Sequence, residues 1–126
     1  MAQRVVVGVD DDFRIRECLA RLAKSAGYAA LTFPSAEALL ESKALSGAGC
    51  LISDVRMPGI DGLELQRRAR TAYPNLPVIL ISGHVDEEVR GRALRQGALD
   101  FLYKPFDGEE LLSAIDRALK QNPPSQ

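Results

Sequence analysis

Aspartates in two separate segments are the residues whose types and spacing could do chemistry in this 126-residue sequence. Asp10, Asp11 and Asp12 directly follow one short apolar run, and Asp54 follows another by way of Ser53. Carboxylates that are packed together repel one another and raise each other's pKa unless a cation lies between them. Their hard oxygen atoms suit Mg²⁺ or Mn²⁺, and Mg²⁺ often bridges to phosphate oxygens. The pattern therefore predicts a divalent-metal site.

A hydroxyl and an ammonium complete this set of groups. Ser82 ends a fourth apolar run, and Lys104 follows a fifth. Phosphoryl transfer needs an oxygen nucleophile, a metal, a hydroxyl donor and a cation, because its catalysis consists mainly of positioning and charge neutralisation. An aspartate that attacks phosphorus forms an acyl phosphate. Taken singly, Ser82 could cap a turn, Lys104 could be a surface lysine and Asp12 could cap a helix.

The elements that must position these groups alternate between two periodicities. Short continuous apolar runs suit strands buried on both faces of a parallel sheet, and the segments between them have helical spacing. The order βαβαβαβαβα with right-handed crossovers predicts an α/β fold, a doubly wound five-stranded parallel sheet with helices on both faces. Ligands bind at the carboxyl edge of such a sheet, where strands one and three are neighbours, so the two acidic loops should converge. The apolar runs are residues 5–7, 29–33, 50–52, 78–81 and 101–102.

Helix starts and stops are also marked in the sequence. Ser35 and Asp107 are N-cap residue types before the second and fifth helices, and Gly27 and Gly97 provide C-terminal stops. The third helix should end before Pro74, because the residue before a proline disfavours helical backbone. The first helix presents one apolar stripe, formed by Ile15, Cys18, Leu19, Leu22, Ala23 and Ala26.

Composition excludes several classes of protein. Hydrophobic residues make up 46% and charged residues 26% of the chain, which is ordinary for one globular domain. The net charge of -1 provides no basic excess for phosphates, so we expect no direct nucleic-acid partner. No apolar run approaches the roughly 20 residues of a membrane span, so we expect a cytoplasmic protein with no membrane partner. Cys18 and Cys50 form no CxxC pair and are predicted to be two buried thiols in a reducing compartment.

Four motifs, in order and with family spacing, resemble the receiver domains of two-component response regulators. The resemblance covers essentially the whole chain and implies a flavodoxin-like sheet of order 2-1-3-4-5. The receiver would span residues 1–121, with residues 122–126 as a linker or frayed tail. The last two motifs are most similar to receivers that precede a helix-turn-helix DNA-binding output domain. The motifs are Val9-Asp10-Asp11-Asp12, the run from Ser53 to Gly62, Ile81-Ser82-Gly83-His84, and the run from Gly97 to Phe106.

The resemblance implies a role for each residue of the acidic cluster. Asp54 would accept a phosphoryl group. Asp11 and Asp54 would ligate Mg²⁺ or Mn²⁺ directly, together with the backbone carbonyl of Arg56, and Asp10 would act mostly through water. Lys104 would pair with Asp54 and then with the phosphoryl oxygens. The peptide bond between Lys104 and the proline after it would be cis.

Other matched positions would transmit and tune the signal. Ser82 would hydrogen-bond the phosphoryl group, and Phe101 would be the aromatic residue that swings inward on activation. Arg56 and His84 lie two residues after Asp54 and Ser82. In receivers, these two positions resemble those that tune how water reaches the acyl phosphate.

The implied function is a switch rather than an enzyme. The domain would promote its own phosphorylation and dephosphorylation, with a sensor histidine kinase as its partner and phosphoryl source. The fourth helix, fifth strand and fifth helix would form the signalling face. The fourth helix has a thin apolar face, and a poorly anchored helix suits a movable element. Phosphorylation would tighten a homodimer, and a DNA-binding output domain would follow in a longer parent chain.

Three other functions stay open on the sequence. An aspartate-nucleophile phosphatase would use Asp12, two residues after Asp10, as general acid, although the Gly-Thr context and cap insertion of that class are absent. A flavin-binding module of the same fold would need a first loop that cradles phosphate, which three aspartates would repel. A receiver that has lost phosphorylation would act as a binding module.

Gly8 departs from the bulky aliphatic residue usual in the first strand, which puts local packing in doubt.

Overall fold

The computed structural model describes residues 4–121, in which strands and helices alternate as the sequence predicts. A 3₁₀ turn at Ala44–Gly47 was not predicted; it leads into the third strand and buries Leu45. The strands are β1 (Val5–Val9), β2 (Ala29–Phe33), β3 (Cys50–Asp54), β4 (Val78–Ser82) and β5 (Asp100–Tyr103). The helices are α1 (Phe13–Ser25), α2 (Ala36–Glu41), α3 (Gly62–Ala72), α4 (Glu87–Arg95) and α5 (Gly108–Gln121).

The sheet has the strand order β2-β1-β3-β4-β5, and its pairings are parallel, which confirms the predicted doubly wound fold. Parallel pairing in this register brings the carboxyl ends of β1, β3, β4 and β5 to one edge of the sheet. The residues that follow those strands therefore meet at that edge. The partners near the strand ends are Val9 with Ser53, Asp54 with Ile81, and Ser82 with Tyr103.

Two hydrophobic cores lie on opposite faces of the sheet, because successive strand side chains point to opposite sides. Val7 of β1 packs in the core that includes Leu65 and other residues of α2, α3 and α4. Its neighbour Val6 packs in the other core, with Ile115 and further residues of α1 and α5. Each helix thus covers one face of the sheet with its apolar stripe.

The prediction that every strand is buried on both faces is wrong for β2. Its residues are half-buried or exposed, and the side chain of Leu31 is 47% exposed. The central strands β3 and β4 are buried throughout. The difference arises because β2 is an edge strand with a neighbour on one side alone, and the apolar run in the sequence does not distinguish an edge position from a central one.

The predicted helix ends are present. Asp12, Ser35 and Asp107 accept backbone N–H bonds from the first turns of α1, α2 and α5, at 2.9, 3.0 and 3.0 Å. Gly27 and Gly97 follow α1 and α4 with φ of 89° and 94°, a left-handed backbone that glycine adopts without strain. The third helix ends at Ala72, before the proline at position 74.

The unexpected glycine of β1 allows α1 to pack closely on the sheet. An ideal Cβ at Gly8 would lie 3.0 Å from Leu19 Cδ1 and 3.5 Å from Thr32 Cγ2. Leu19 is buried and belongs to the core under α1 and α5. Its side chain fills the space that a bulky residue at position 8 would occupy, so the departure at Gly8 is compensated locally.

The two cysteines differ in exposure. Cys50 is buried in β3, and burial raises the pKa of its thiol to about 12. Cys18 is partly exposed, so the prediction of two buried thiols is wrong for this residue. It lies on the flank of the α1 stripe, whose buried centre is Leu19 and Ala23. Helical spacing identified the stripe but not its centre.

The fifth helix closes the described part of the chain. Its inner face is buried at Leu111, Ile115 and Leu119, while Leu112 is partly buried at the edge of the same core. Within residues 4–121, no helix combines the length and the apolar character needed to cross a membrane. The predicted linker or tail at residues 122–126 lies outside the described residues.

Candidate functional site

Three carboxylates converge at the carboxyl edge of the sheet. One oxygen each from Asp10, Asp11 and Asp54 can be chosen so that all three lie within 4.8 Å of one another. Asp10 and Asp54 are 1% and 6% exposed, whereas Asp11 is exposed to solvent. Asp10 and Asp11 follow β1 and Asp54 ends β3, so the neighbouring strands position them as the sequence predicts.

Asp10 is fixed by contacts on both its backbone and its side chain. Its N–H donates to the Phe33 carbonyl at 3.2 Å, and its carbonyl accepts from Arg16 Nη1 at 2.7 Å. Its Oδ1 accepts the backbone N–H of Asp12 at 2.8 Å. The chain turn after β1 therefore holds this carboxylate in place before any ligand binds.

Lys104 extends across the acidic cluster. Its Nζ lies 2.9 Å from Asp10 Oδ2 and 3.4 Å from Asp54 Oδ1. Its backbone N–H donates to the Ser82 carbonyl at 2.8 Å, and the bond between Lys104 and Pro105 is cis, as predicted. The cluster thus contains three carboxylates and one ammonium.

The net effect of burial and neighbouring charges is to raise the pKa values of both Asp54 and Lys104. Burial, reinforced by the negative charge of Asp10, raises the pKa of Asp54, although Lys104 opposes the shift. Burial lowers the pKa of Lys104, but its bonds to Asp10 and the nearby negative charges outweigh that effect, so the pKa lies above its ordinary value. The ammonium therefore stays charged at neutral pH, while the pKa of Asp54 lies above that of an ordinary aspartate.

The oxygen donors fit a divalent cation of the Mg²⁺ type. Mg²⁺ is bound by hard oxygen ligands and keeps several waters, so two or three carboxylates at one open edge suffice. Asp10 Oδ2 pairs with the Lys104 ammonium at 2.9 Å, while the Asp11 carboxylate is exposed to solvent. With one ammonium for three carboxylates, the cluster retains an excess of negative charge that a cation would neutralise.

Gly62 fixes the loop that follows Asp54. The N–H of Gly62 donates to the Val55 carbonyl at 2.8 Å. An ideal Cβ at this position would lie 2.2 Å from the Asp54 carbonyl oxygen and 2.9 Å from Val55 Cα, which no side chain could tolerate. The start of α3, which Asp61 caps, therefore packs directly against the end of β3. The sequence motif contained this glycine but did not explain it.

A second contact holds the same loop from α2, and the sequence did not predict it. Glu37 Oε2 accepts the backbone N–H of Ile60 at 3.0 Å. Gly59, at φ of 76°, leaves room for this carboxylate, since an ideal Cβ there would lie 2.2 Å from Glu37 Oε2. The bond from Ile60 lowers the pKa of Glu37. Glu37 lies in the first turn of α2, and no local sequence pattern links positions 37 and 60.

Ser82 makes a tight turn with His84. Its Oγ donates to the His84 carbonyl at 3.0 Å and accepts the His84 N–H at 3.1 Å. Ser82 is buried, while His84 and Arg56 are exposed at the rim of the site. The Arg56 guanidinium lies 3.9 Å from the carboxylate of Asp86, the N-cap of α4. Ser82 therefore caps this turn and is also the last residue of β4.

Phe101 is already inside the protein. It is 6% exposed, and its ring meets the Tyr103 ring edge-on at 5.4 Å between centroids. The predicted inward swing on activation would require an outward starting position, which this structure does not show.

Asp12 has a structural role. It caps α1, and its carboxylate pairs with the Arg14 guanidinium at 3.2 Å. The side-chain hydrogen bond from Arg14 lowers the pKa of Asp12. An ionised, paired carboxylate is poorly suited to donate a proton, so the geometry does not supply the general acid of an aspartate-nucleophile phosphatase.

Comparison with known families identifies the domain. The sequence matches the model of the response regulator receiver domain over residues 6–116. The chain belongs to the response regulator receiver family. Receivers of this family are signalling domains of two-component systems.

Named relatives of this receiver are longer proteins. It is 38% identical over 117 residues to the transcriptional regulatory protein FixJ of Bradyrhizobium diazoefficiens, covering 93% of this chain and 57% of FixJ. It is 44% identical over 119 residues to the response regulator protein TodT of Pseudomonas putida, covering 94% of this chain and 52% of TodT. The receiver therefore spans about half the length of these curated relatives.

Solved structures show the same receiver fold. The structure titled FixJ-N superposes with a TM-score of 0.83 at 36% identity, covering 95% of this chain and 96% of that one. The receiver thus has the predicted fold and family. Its predicted site residues Asp10, Asp11, Asp54 and Lys104 come together at one edge of the sheet.

Proposed function

We propose that this receiver accepts a phosphoryl group on Asp54 from the phosphohistidine of a sensor histidine kinase in a Mg²⁺-dependent reaction. The observation that carries the proposal is the convergence of three carboxylates within 4.8 Å, with the Lys104 ammonium against two of them. Such a set supplies a nucleophile and the means to neutralise phosphoryl charge, which phosphoryl transfer requires.

In the proposed reaction, a carboxylate oxygen of Asp54 attacks phosphorus. The P–N bond of the phosphohistidine breaks, and its electron pair leaves with the imidazole nitrogen. Asp11, Asp54 and the Arg56 carbonyl would hold Mg²⁺, with Asp10 acting through water, and the bound ion would neutralise charge on the phosphoryl oxygens. Water later attacks the acyl phosphate and releases inorganic phosphate, so the domain promotes both steps without acting on other substrates.

Lys104 exchanges its contact with Asp54 for one with the phosphoryl group during the reaction. Its Nζ, held between Asp10 and Asp54, moves to a phosphoryl oxygen once Asp54 is phosphorylated and its carboxylate charge is lost. The bond to Asp10 keeps the ammonium at the site throughout. Ser82 must break its bond to the His84 carbonyl before its hydroxyl can donate to the phosphoryl group.

The release of this turn links the site to the signalling face of α4, β5 and α5. Ser82 moves toward the phosphoryl group, and Phe101 repacks from its buried position. Val85, 79% exposed two residues before α4 begins, provides apolar surface on this face. The change shifts an existing two-state equilibrium and tightens a two-fold homodimer.

A DNA-binding output domain in a longer parent chain is the proposed effector. The 52–57% coverage of FixJ and TodT supports this arrangement. Escherichia coli NtrC, 40% identical over 119 residues, is named a DNA-binding transcriptional regulator, and the receiver covers 25% of it. Residues 1–121 would form the receiver, and residues 122–126 would begin the linker.

Intact-mass spectrometry with Mg²⁺ and a small acyl-phosphate donor tests the proposed reaction. We expect a gain of one phosphoryl group in the parent protein, and no gain when Mg²⁺ is replaced by chelator. Catalytic release of phosphate without a stable adduct would favour the phosphatase alternative. Absence of any adduct would favour a receiver that acts as a binding module alone.

Sedimentation of the parent and Ser82→Ala proteins, with and without donor, tests the switch. We expect Ser82→Ala to be phosphorylated but to dimerise less than the parent. Equal dimerisation of the two phosphorylated proteins would show that Ser82 does not relay the signal.

A further inference from the structure

A buried polar contact joins α3 to the C-terminal end of α4. Gln66 of α3 is fully buried, and its Nε2 donates to the Ala93 carbonyl at 2.9 Å. The side chain of Gln96, which caps α4, donates to Gln66 Oε1 at 2.8 Å and to the Leu63 carbonyl at 3.2 Å. A buried amide is costly unless both its ends are hydrogen-bonded, and these bonds satisfy both ends of Gln66.

The C-terminal end of α4 is therefore anchored by polar bonds where its apolar contacts are few. Among the described residues of α4, Ala93 is the one that is fully buried, and Val89 packs partly against the core. The Ala93 carbonyl accepts both the Gln66 amide and the Ala98 N–H. Arg70 of α3 lies beside Gly97, where an ideal Cβ would come 3.1 Å from its Nη2.

Among residues 4–121, the N-terminal end of α4 makes no hydrogen bond to another helix comparable to those of Gln66 and Gln96. Asp86 caps the helix by accepting the N–H groups of Glu88 and Val89 at 3.1 and 3.2 Å, which are bonds within the helix itself. The Asp86 carboxylate also faces Arg56, but Asp86 Oδ2 and Arg56 Nη2 are 3.9 Å apart, which makes a long ion pair. Val85 is exposed, and the Ser82–His84 turn precedes it. This end lies next to the strand end that carries Ser82.

We infer that α4 pivots about its C-terminal end, and that Gln66 and Gln96 are the positioning residues that form the pivot. This inference rests on the proposed function, because phosphorylation supplies the event that opens the Ser82–His84 turn. The unanchored N-terminal end is displaced, while the C-terminal end stays against α3. The signalling face therefore changes most near Val85 and least near Gln96. A helix anchored by apolar contacts along its whole length would instead shift as a unit.

Amide hydrogen exchange by NMR on the whole chain tests the pivot, with Mg²⁺ and beryllium trifluoride as the phosphoryl analogue. In the parent, the analogue should accelerate exchange at Glu88, Val89 and Arg90, whose N–H groups bond to Asp86. At the C-terminal end of α4, the exchange rates of the Gln96, Gly97 and Ala98 amides should change by less than twofold. Equal acceleration at both ends would overturn the pivot.

Gln96→Ala and Gln66→Met test the anchor without the analogue. Each should accelerate exchange at Gly97 and Ala98 at least tenfold, equivalent to about 1.4 kcal/mol, on the scale of one hydrogen bond. Arg92→Ala, an exposed position of the same helix, is the matched control and should leave these rates unchanged. Gln96 is partly exposed, so Gln96→Ala decides the question even where Gln66→Met does not fold. Unchanged exchange in Gln96→Ala would overturn the anchor.

Failure of the proposed function gives a different result. The analogue's binding is read from the amide shifts of Asp54 and Ser82. Absence of those shifts would overturn both the proposed function and the pivot. The exchange rates of Gln96→Ala without the analogue would still show whether Gln96 anchors the C-terminal end of α4. Shifts at Asp54 with uniform motion of α4 would overturn the pivot alone.

Discussion

Lys104 Nζ lies closer to Asp10 Oδ2, at 2.9 Å, than to the proposed phosphoacceptor Asp54, at 3.4 Å from Oδ1. The family resemblance implies that Lys104 pairs with Asp54. Because Asp10 shares the ammonium, Asp54 is not fully compensated by its cation, and its pKa is raised by burial and by the Asp10 charge despite Lys104. The acidic cluster therefore carries electrostatic strain in the absence of a metal.

Asp54→Asn should abolish phosphorylation and raise stability in chelator by about 1 kcal/mol, the ordinary size of a single-residue effect. The raised pKa means that the folded protein loses stability as pH rises above the ordinary value of 3.8 and through the folded pKa. The gain in the variant should therefore be full at pH 7 and shrink as pH falls toward 3.8. Thermal unfolding and intact mass measure both effects. An Asn variant that still takes up phosphate would exclude Asp54 as the acceptor.

Asp11→Ala should weaken Mg²⁺ binding at least tenfold, since few protein ligands hold this ion and each contributes substantially. Glu17→Ala removes an exposed acidic residue of α1 outside the cluster and serves as the control. The chain contains no tryptophan, so NMR shifts or calorimetry must follow the titration. Equal Mg²⁺ affinity in the Asp11 variant and its control would contradict the assignment.

Gly62→Ala should cost roughly 3 kcal/mol or prevent folding, because the added methyl would overlap the Asp54 carbonyl. Gly47→Ala is the matched control, since an ideal Cβ there meets nothing within 4 Å. Its effect should stay within about 0.5 kcal/mol. Chemical denaturation measures both. A Gly62→Ala protein as stable as Gly47→Ala would show that the loop moves freely away from β3.

Glu37→Ala should weaken Mg²⁺ binding and slow phosphorylation several-fold, because the loop that presents the Arg56 carbonyl loses its bond to α2. Glu37→Gln retains an acceptor oxygen and should recover most of both properties. Glu41→Ala, at the exposed end of the same helix, controls for the loss of an acidic residue. If Glu37→Ala lowers stability but leaves Mg²⁺ affinity unchanged, then Glu37 stabilises the fold and does not contribute to Mg²⁺ binding.

Replacing both Arg56 and His84 with alanine should shorten the acyl-phosphate lifetime. Both residues are exposed at the rim of the site, where their bulk would shield the phosphoryl group from water. We expect hydrolysis to accelerate several-fold, as followed by intact mass after removal of the donor. Arg92→Ala, on the exposed surface of α4, should leave the lifetime unchanged. Equal or slower hydrolysis in the double variant would contradict the shielding role.

The sequence determined the elements and the edge at which the chemistry gathers. Apolar runs, the α1 stripe and caps such as Ser35 and Asp107 are local signals, and each acts through neighbours within a few residues. Parallel strands joined by right-handed crossovers then leave little choice of topology. The carboxylates after β1 and β3 had to meet, because the fold brings those strand ends together.

The tertiary structure decided how residues distant in sequence pair with one another. Lys104 contacts Asp10 more closely than Asp54, Glu37 bonds Ile60 across 23 positions, and Gln66 meets Gln96 across 30. None of these pairs has a local signature, since each depends on how the strands and helices pack together and on which rotamer each side chain adopts.

The same limit explains the two corrections. An edge strand such as β2 and a flanking residue such as Cys18 have ordinary apolar patterns, and their exposure follows from what packs beside them. Periodicity shows which side of an element is apolar, but the neighbours that cover it are set by the assembled sheet and helices.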